Sequence, residues 1–269
     1  MLTEVQCINQ LHFNIYNNEK TISMIPRDYL KVMAQTHSGW VFDEGIQISH
    51  QQVLTVEKNL GLLALSSAEA VEQGSAAHMT LQILVDDMQV NLPGAEESKG
   101  ESRSAASVCL LESVDNINEY LFNQQSTAGS QKAVSLSAVQ FQVGQVSVLT
   151  GKGLCVLLFH QGDIIHLGDQ SLLPQKLGVS STFKGDIIEH EVVKDDVVMV
   201  LADSYYQAIG DEFLRVTLSR FADNLAMAFR QINTRVAHKG LPQKPALILA
   251  RIEQNPEKQG GWLNRFSKS

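Results

Sequence analysis

The chain has 269 residues, of which 44% are apolar and 19% charged, a composition that excludes an intrinsically disordered protein. Its net charge of −8 excludes the basic footprint of a nucleic-acid binder, and its apolar runs are far shorter than the ~20 residues of a membrane span. The N-terminus has neither the basic start nor the long apolar stretch of a secretory signal, so we expect a cytoplasmic protein.

The first half of the chain combines strand patterns with two helices. Alternating or continuous apolar residues predict strands over Leu11–Tyr16, Gly45–Val56 and Leu60–Ser66. A helix is expected over Met79–Val90, and a second one over Ala106–Leu121, where apolar residues recur every three or four positions. The polar segment between these helices carries proline and glycine, which indicates a loop.

The second half of the chain begins with a series of strands separated by glycine-containing breaks at hairpin spacing. The predicted strands are Val134–Phe141, Gln145–Thr150, Leu154–Phe159, Ile164–Leu167, Ile187–Val193 and Val197–Ala202. An apolar stripe that starts at Leu214 then predicts one long helix over Glu212–Val236, with Gly240 placed to end it. A last strand is predicted over Ala246–Ile252.

This order of elements favours an α+β fold in which two antiparallel β-sheets pack as a sandwich flanked by helix pairs. We expect a single domain over residues 1–252, followed by a flexible C-terminal tail over residues 253–269. In that tail Trp262 and Phe266 follow a Gly-Gly pair and are four residues apart, so a helix would place them on one face. Aromatic side chains are frequent anchors in protein interfaces, so these two are candidate partner-binding residues; the alternative is that they pack on their own domain.

Common catalytic motifs are missing from the sequence. It contains no HExxH, no GxSxG, no GxxxxGK[ST] and no GxGxxG, and its three cysteines form no CxxC pair. Glu189-His190-Glu191 has ligand-type residues, but strand alternation places His190 opposite both glutamates, which predicts a solvated strand face instead of a metal site.

Four segments in a fixed order resemble metal-dependent protein phosphatases of the 2C type. Gly61–Ala77 resembles the family's strand and Asp-Gly-x-Gly-Gly turn, and Gln145–Gly162 resembles the hairpin around its Gly-Asp-Ser motif. Leu172–Gly178 and Asp195–Leu214 extend the match, the latter covering the strand that ends in Ser-Asp-Gly. The resemblance spans roughly residues 40–252 and implies a phosphatase 2C-like sandwich.

The family's metal-binding carboxylates are largely replaced in this sequence. The family hydrolyses phosphate esters with two divalent ions held by carboxylates, and the resemblance leaves Asp203 and Asp43 as remnant ligands. The aspartate and first glycine of the Asp-Gly-x-Gly-Gly turn fall on Ser67 and Ala68, and the aspartate of Gly-Asp-Ser falls on Lys152. The family's late Asp-Asn pair falls near Lys244.

The resemblance, with these replacements, predicts a pseudoenzyme that acts as a protein-binding regulatory module and needs no cofactor. An alternative is a divergent serine/threonine phosphatase that recruits Mg²⁺ or Mn²⁺ through Asp43, Asp203 and other carboxylates such as Glu69 or Glu72. A third possibility is a structural subunit of a bacterial-type protein assembly. In the first and third cases a protein partner is expected, with no nucleic acid and no membrane span.

Overall fold

The computed structural model describes residues 30–34, 39–43, 46–55, 61–68, 74–91, 103–128, 133–142, 144–168, 176–241 and 247–253. The strand predicted over Leu11–Tyr16 and the tail after residue 253 lie outside these residues. Of the helices described, none is long and apolar enough to cross a membrane.

Eleven strands and four helices make up the described part of the chain. In chain order they are β1 Leu30–Ala34, β2 Gly39–Asp43, β3 Ile46–Thr55, β4 Leu62–Ala68, α1 Gly74–Asn91, α2 Ala105–Ala128, β5 Val134–Gln142, β6 Gln145–Leu149, β7 Leu154–His160, β8 Asp163–His166, β9 Ile188–Glu191, β10 Val197–Ala202, α3 Asp203–Phe221, α4 Leu225–His238 and β11 Leu247–Ile252.

The strands form two antiparallel sheets, as the sequence predicted. One sheet has the order β1-β11-β10-β7-β8 and the other has the order β2-β3-β4-β5-β6-β9. Every strand pair in both sheets is antiparallel. The predicted fold class, an α+β sandwich flanked by helix pairs, is therefore confirmed.

Strand β4 shows how the layers are built, because both of its faces are buried. Leu63 and Leu65 belong to one core, which both sheets form together with the apolar side of α3 and α4. Leu62 and Ala64 point the other way, into a second core beneath α1 and α2. A strand covered on both faces has a continuous apolar sequence, which explains the short apolar run from which this strand was predicted.

The single long helix predicted over Glu212–Val236 is wrong. Helix α3 already begins at Asp203, directly after β10, and ends at Phe221, and α4 starts only at Leu225. Asn224 caps α4 because its side-chain oxygen accepts a hydrogen bond from the backbone N–H of Met227 at 3.1 Å. The apolar period runs through this break because both helices pack on the same core, so periodicity alone could not show it.

The predicted glycine end of the last helix is confirmed. Gly240 has a φ of 78°, and its N–H donates to the carbonyl of Ala237, while the N–H of Leu241 donates to the carbonyl of Val236. This pair of bonds is the Schellman motif, in which glycine occupies the left-handed position at no steric cost.

Candidate functional site

Three segments meet at one edge of the sandwich, around the junction between β10 and α3. The N–H of Asp203, at this junction, donates to the carbonyl of Gly153, in the turn between β6 and β7, at 3.1 Å. In the same turn the N–H of Gly151 donates to the Ser137 hydroxyl of β5 at 2.9 Å. A Cβ at residue 151 would lie 2.2 Å from the carbonyl oxygen of Leu136, so this close approach requires glycine.

Strand pairing brings the other predicted family positions to the same edge. Ser67 and Ala68, at the end of β4, pair with Ser135 and Val134, at the start of β5. Strands β2 and β4 both pair with β3 and run parallel to each other, and Asp43 is the last residue of β2. The backbone positions of Asp43, Ser67 and Asp203 therefore share one edge.

The Asp203 carboxylate is half-buried, in an environment that raises its pKa. Burial raises its pKa, and a hydrogen bond from the Cys155 thiol on β7 offsets this only in part. Burial also raises the pKa of the Cys155 thiol, and the neighbouring Asp203 carboxylate adds to that effect. The Oδ1 atom of Asp203 is buried and has no hydrogen-bond partner within the described part of the protein.

A polar network that the sequence did not reveal lies beside Asp203. The Tyr206 hydroxyl is 3.0 Å from Nε2 of His166 and 3.0 Å from Oδ1 of Asp211. An ionised carboxylate only accepts, so Tyr206 donates to Asp211 and accepts the Nε2–H of His166. Burial and the bond to Asp211 raise the pKa of Tyr206 to about 12, so its hydroxyl stays protonated.

This network crosses an interruption in α3. Gly210 has φ 72° and ψ 164°, outside the helical region, and separates Tyr206 from Asp211 along the chain. His166 is on β8, 40 positions before Tyr206, and Asp211 is on the second part of α3, five positions after Tyr206. No sequence motif links them, so only the folded chain could reveal this contact.

The remaining predicted site residues are placed as follows. Lys152 is exposed in the turn between β6 and β7, and Ser67 is half-buried. The alternative ligands Glu69 and Glu72, together with Lys244, Trp262 and Phe266, lie outside the described residues, so their roles stay predictions.

The described residues do not fit a two-ion cluster. Nowhere in the described ranges do three His, Cys, Asp or Glu side chains converge closely enough to hold a metal ion. A hydroxyl stands at position 67 and an ammonium group at position 152, and Asp203 is the one carboxylate side chain that the structure describes among the family positions. Mg²⁺ and Mn²⁺ prefer anionic oxygen ligands, which this donor set does not supply.

Glu189 has a structural role that the strand pattern did not predict. Its Oε1 accepts from the Ser107 hydroxyl at 2.5 Å and from the backbone N–H of Ser104 at 2.7 Å, at the start of α2. Burial opposes ionisation, but these hydrogen bonds outweigh it and lower the pKa of Glu189. The predicted solvated strand face is therefore wrong for Glu189, which ties β9 to α2.

Comparison with known proteins assigns the fold. No family model and no curated protein matches the sequence. Solved structures do match, and they are serine/threonine phosphatases of the metal-dependent 2C type, so this chain has the phosphatase 2C fold.

Three of these structures show how far the likeness extends. PppA, a key regulatory component of T6SS in Pseudomonas aeruginosa, superposes with a TM-score of 0.66 at 14% identity, over 83% of this chain and 98% of that one. A serine/threonine phosphatase from S. agalactiae gives 0.64 at 16% identity, over 84% and 100%. The catalytic domain of the phosphatase PstP, in complex with two manganese ions, gives 0.62 at 13% identity, over 84% and 99%.

Proposed function

We propose that this chain is a phosphatase 2C-like pseudoenzyme that acts as a protein-binding regulatory module, with residues 1–252 as its single domain. The observation that carries the proposal is the donor set at this edge. A hydroxyl at Ser67 and an ammonium group at Lys152 stand at positions where the family resemblance expects carboxylates, and neither group is an anionic oxygen ligand.

Electrostatics supports this proposal. Two dications at one site need several carboxylates to offset the loss of their hydration, and the described edge offers a hydroxyl at Ser67 and a cation at Lys152 in place of two of them. Asp43 and Asp203 would then be remnants of a metal site, and no step of phosphate hydrolysis would pass through them.

The regulatory part of the proposal draws on the structural comparisons. PppA, which has the same fold, is a key regulatory component of T6SS, so at least one protein with this fold has a regulatory role. We propose the same kind of role here, in the cytoplasm and without a cofactor, and Trp262 and Phe266 are our candidate anchors for the partner.

A second candidate function is a divergent metal-dependent phosphatase. The observation that favours it is the Oδ1 atom of Asp203, which is buried without a hydrogen-bond partner in the described residues and could accept a cation. In that case Asp43 and carboxylates such as Glu69 or Glu72 would supply the remaining ligands to Mg²⁺ or Mn²⁺.

Titration calorimetry with Mn²⁺ and Mg²⁺ separates the two candidates. A pseudoenzyme shows no two-site binding at micromolar affinity, and its hydrolysis of p-nitrophenyl phosphate stays at background with Mn²⁺ present. Asp203→Asn is the control, because it keeps the shape of the side chain and removes its charge. Two micromolar sites in the natural protein, together with turnover that Asp203→Asn abolishes, would refute the pseudoenzyme proposal.

The partner hypothesis has its own test, which uses the protein without residues 260–269. We expect the shortened protein to keep its melting temperature and to lose its partner in a pull-down from the native host. Double substitution of Trp262 and Phe266 by alanine in the full chain should have the same effect. Unchanged recovery of the partner would remove the tail from the proposal.

A further inference from the structure

Most of the chain's net negative charge lies in one segment. Residues 74–128 contain eight Asp or Glu and two Lys or Arg, a net charge of −6 out of −8 for the whole chain. Both helices of this segment, α1 and α2, contain no Lys or Arg. Their outer side therefore has carboxylates without cations on either helix to balance them.

We define the acidic helix face as the solvent-facing side of α1 and α2. Its carboxylates are Asp86, Asp87, Glu112, Asp115 and Glu119, and its apolar side chains are Met79, Val90 and Tyr120. Those three are half of the six large apolar residues that are exposed in the described part of the chain, and Val90 is 77% exposed. The face thus combines apolar and negatively charged groups.

The charges on this face oppose one another. Glu112, Asp115 and Glu119 are spaced by three and four residues on α2, where like charges repel one another and destabilise a helix. Asp87 of α1 is joined to the same helix, since it accepts from the Asn116 amide at 3.1 Å. A cationic segment lying across the two helices would relieve this repulsion.

The end of β11 lies at the edge of the sandwich where α2 begins. The carbonyl of Ile252 accepts from the N–H of Asp195, and a few residues earlier the N–H of Val192 donates to the carbonyl of Gly144. Gly144 lies in the turn between β5 and β6, and Gln142, just before that turn, donates to the Ser104 hydroxyl at 3.4 Å. Ser104 directly precedes α2, so the segment after residue 253 starts at the edge of the sandwich where the acidic helix face begins.

The segment that follows has complementary chemistry. Gly260–Ser269 contains Arg265 and Lys268, the aromatic residues Trp262 and Phe266, and no Asp or Glu. The eight residues 254–261 can span about 26 Å when extended, at ~3.3 Å each. Crossing from one sheet to the other and on to the helix layer is roughly 20 Å, since such layers are ~10 Å apart.

We propose that Gly260–Ser269 docks on the acidic helix face of its own chain. Arg265 and Lys268 face the carboxylates, and the aromatic side chains cover the exposed apolar groups. Val90 is the main apolar contact, because it lies near the end of α1. A short tether gives an effective concentration in the millimolar range, so a weak contact is enough for docking. The inference goes beyond the proposed function, because it describes the chain without its partner and holds whether or not the chain hydrolyses phosphate. A partner that uses Trp262 and Phe266 as anchors would displace the tail from this face.

The test uses the full chain and two readouts. Zero-length carbodiimide coupling followed by mass spectrometry should join Lys268 to carboxylates of the acidic helix face, including Asp86. The emission of Trp262, isolated as the difference between the natural protein and Trp262→Phe, should be blue-shifted relative to a synthetic peptide of residues 260–269. Both signals should be lost at 1 M salt, where the screening length is about 3 Å.

A matched pair of double variants decides the location. Glu112→Lys with Asp115→Lys should lower coupling between Lys268 and Asp86 about tenfold, a loss of ~1.4 kcal/mol in docking, and should abolish the blue shift. Asp163→Lys with Glu212→Lys makes the same change in charge at exposed positions of β8 and α3, on the other side of the sandwich, and should leave both signals intact.

Three results would overturn the proposal. The first is equal loss in the two double variants, and the second is no loss in either of them. The third is coupling found between isotopically distinguishable copies of the chain and rising with protein concentration, which would assign the tail to a second copy. Melting temperatures of both double variants, measured in parallel, show that the folded state is intact.

Discussion

Replacement of Leu218 by alanine tests whether α3 packs on the sandwich core as the structure shows. Leu218 is 0% exposed and belongs to the core that both sheets form together with α3 and α4, whereas Val216, two residues earlier on the same helix, is 53% exposed. Removal of a fully buried leucine side chain costs about 2–5 kcal/mol, because the transfer free energy is lost and a cavity remains. Val216→Ala, the matched control, should change the free energy of unfolding by less than about 0.5 kcal/mol.

Urea unfolding of the natural protein and the two variants measures this difference directly. In a domain of this size the loss at Leu218 corresponds to a fall of roughly 4–20 °C in melting temperature. Leu225→Ala on α4, also buried, should behave like Leu218→Ala. A loss below ~1 kcal/mol at both leucines would mean that the apolar stripe does not face the core, and the packing described here would be wrong.

Three further substitutions test local features. Gly240→Ala should cost about 1 kcal/mol in thermal or urea unfolding, because residue 240 has a φ of 78° that a residue with a Cβ rarely adopts. Glu189 has a lowered pKa in the folded state, so its charge stabilises the protein above pH ~4.3, the pKa of an unfolded glutamate. Glu189→Gln should therefore lower the free energy of unfolding at pH 7, and this loss should shrink as the pH falls towards 3. Asp203 has a raised pKa, so the substitution of its carboxylate should have the opposite effect. Asp203→Asn should raise the free energy of unfolding at pH 7, and the gain should disappear near pH 3. A lower free energy of unfolding at pH 7 would show that the folded protein stabilises the ionised carboxylate.

The sheets could be predicted from the sequence because each strand leaves a local signature. Leu154–Phe159 is continuously apolar since β7 is buried on both faces, and glycines before and after the strand mark its turns. The interruption of the last long helix left no such signature. The Asn224 side chain caps the first turn of α4 after the break, while the apolar period of α3 and α4 runs straight across the gap.

The candidate site was predicted only in part, for a related reason. Asp203 follows a strand that can be aligned with a known motif, so its position could be found from the sequence. The contact of Tyr206 with His166 joins residues 40 positions apart, and the contact of Glu189 with Ser107 joins residues 82 positions apart. No regular spacing in the sequence predicts either contact, because both depend on how the helices pack against the sheets.

The fold would persist if carboxylates were replaced at the candidate site, because the site lies outside the two cores. The two cores lie between layers and consist of residues in the middle of strands and helices, whereas Ser67, Lys152 and Asp203 stand at strand ends and in a turn. Replacing carboxylates at such an edge removes mutual repulsion and takes nothing from the cores. Asp203 stays in position because its backbone bonds to Gly153 and its side chain to Cys155, contacts that need no metal ion.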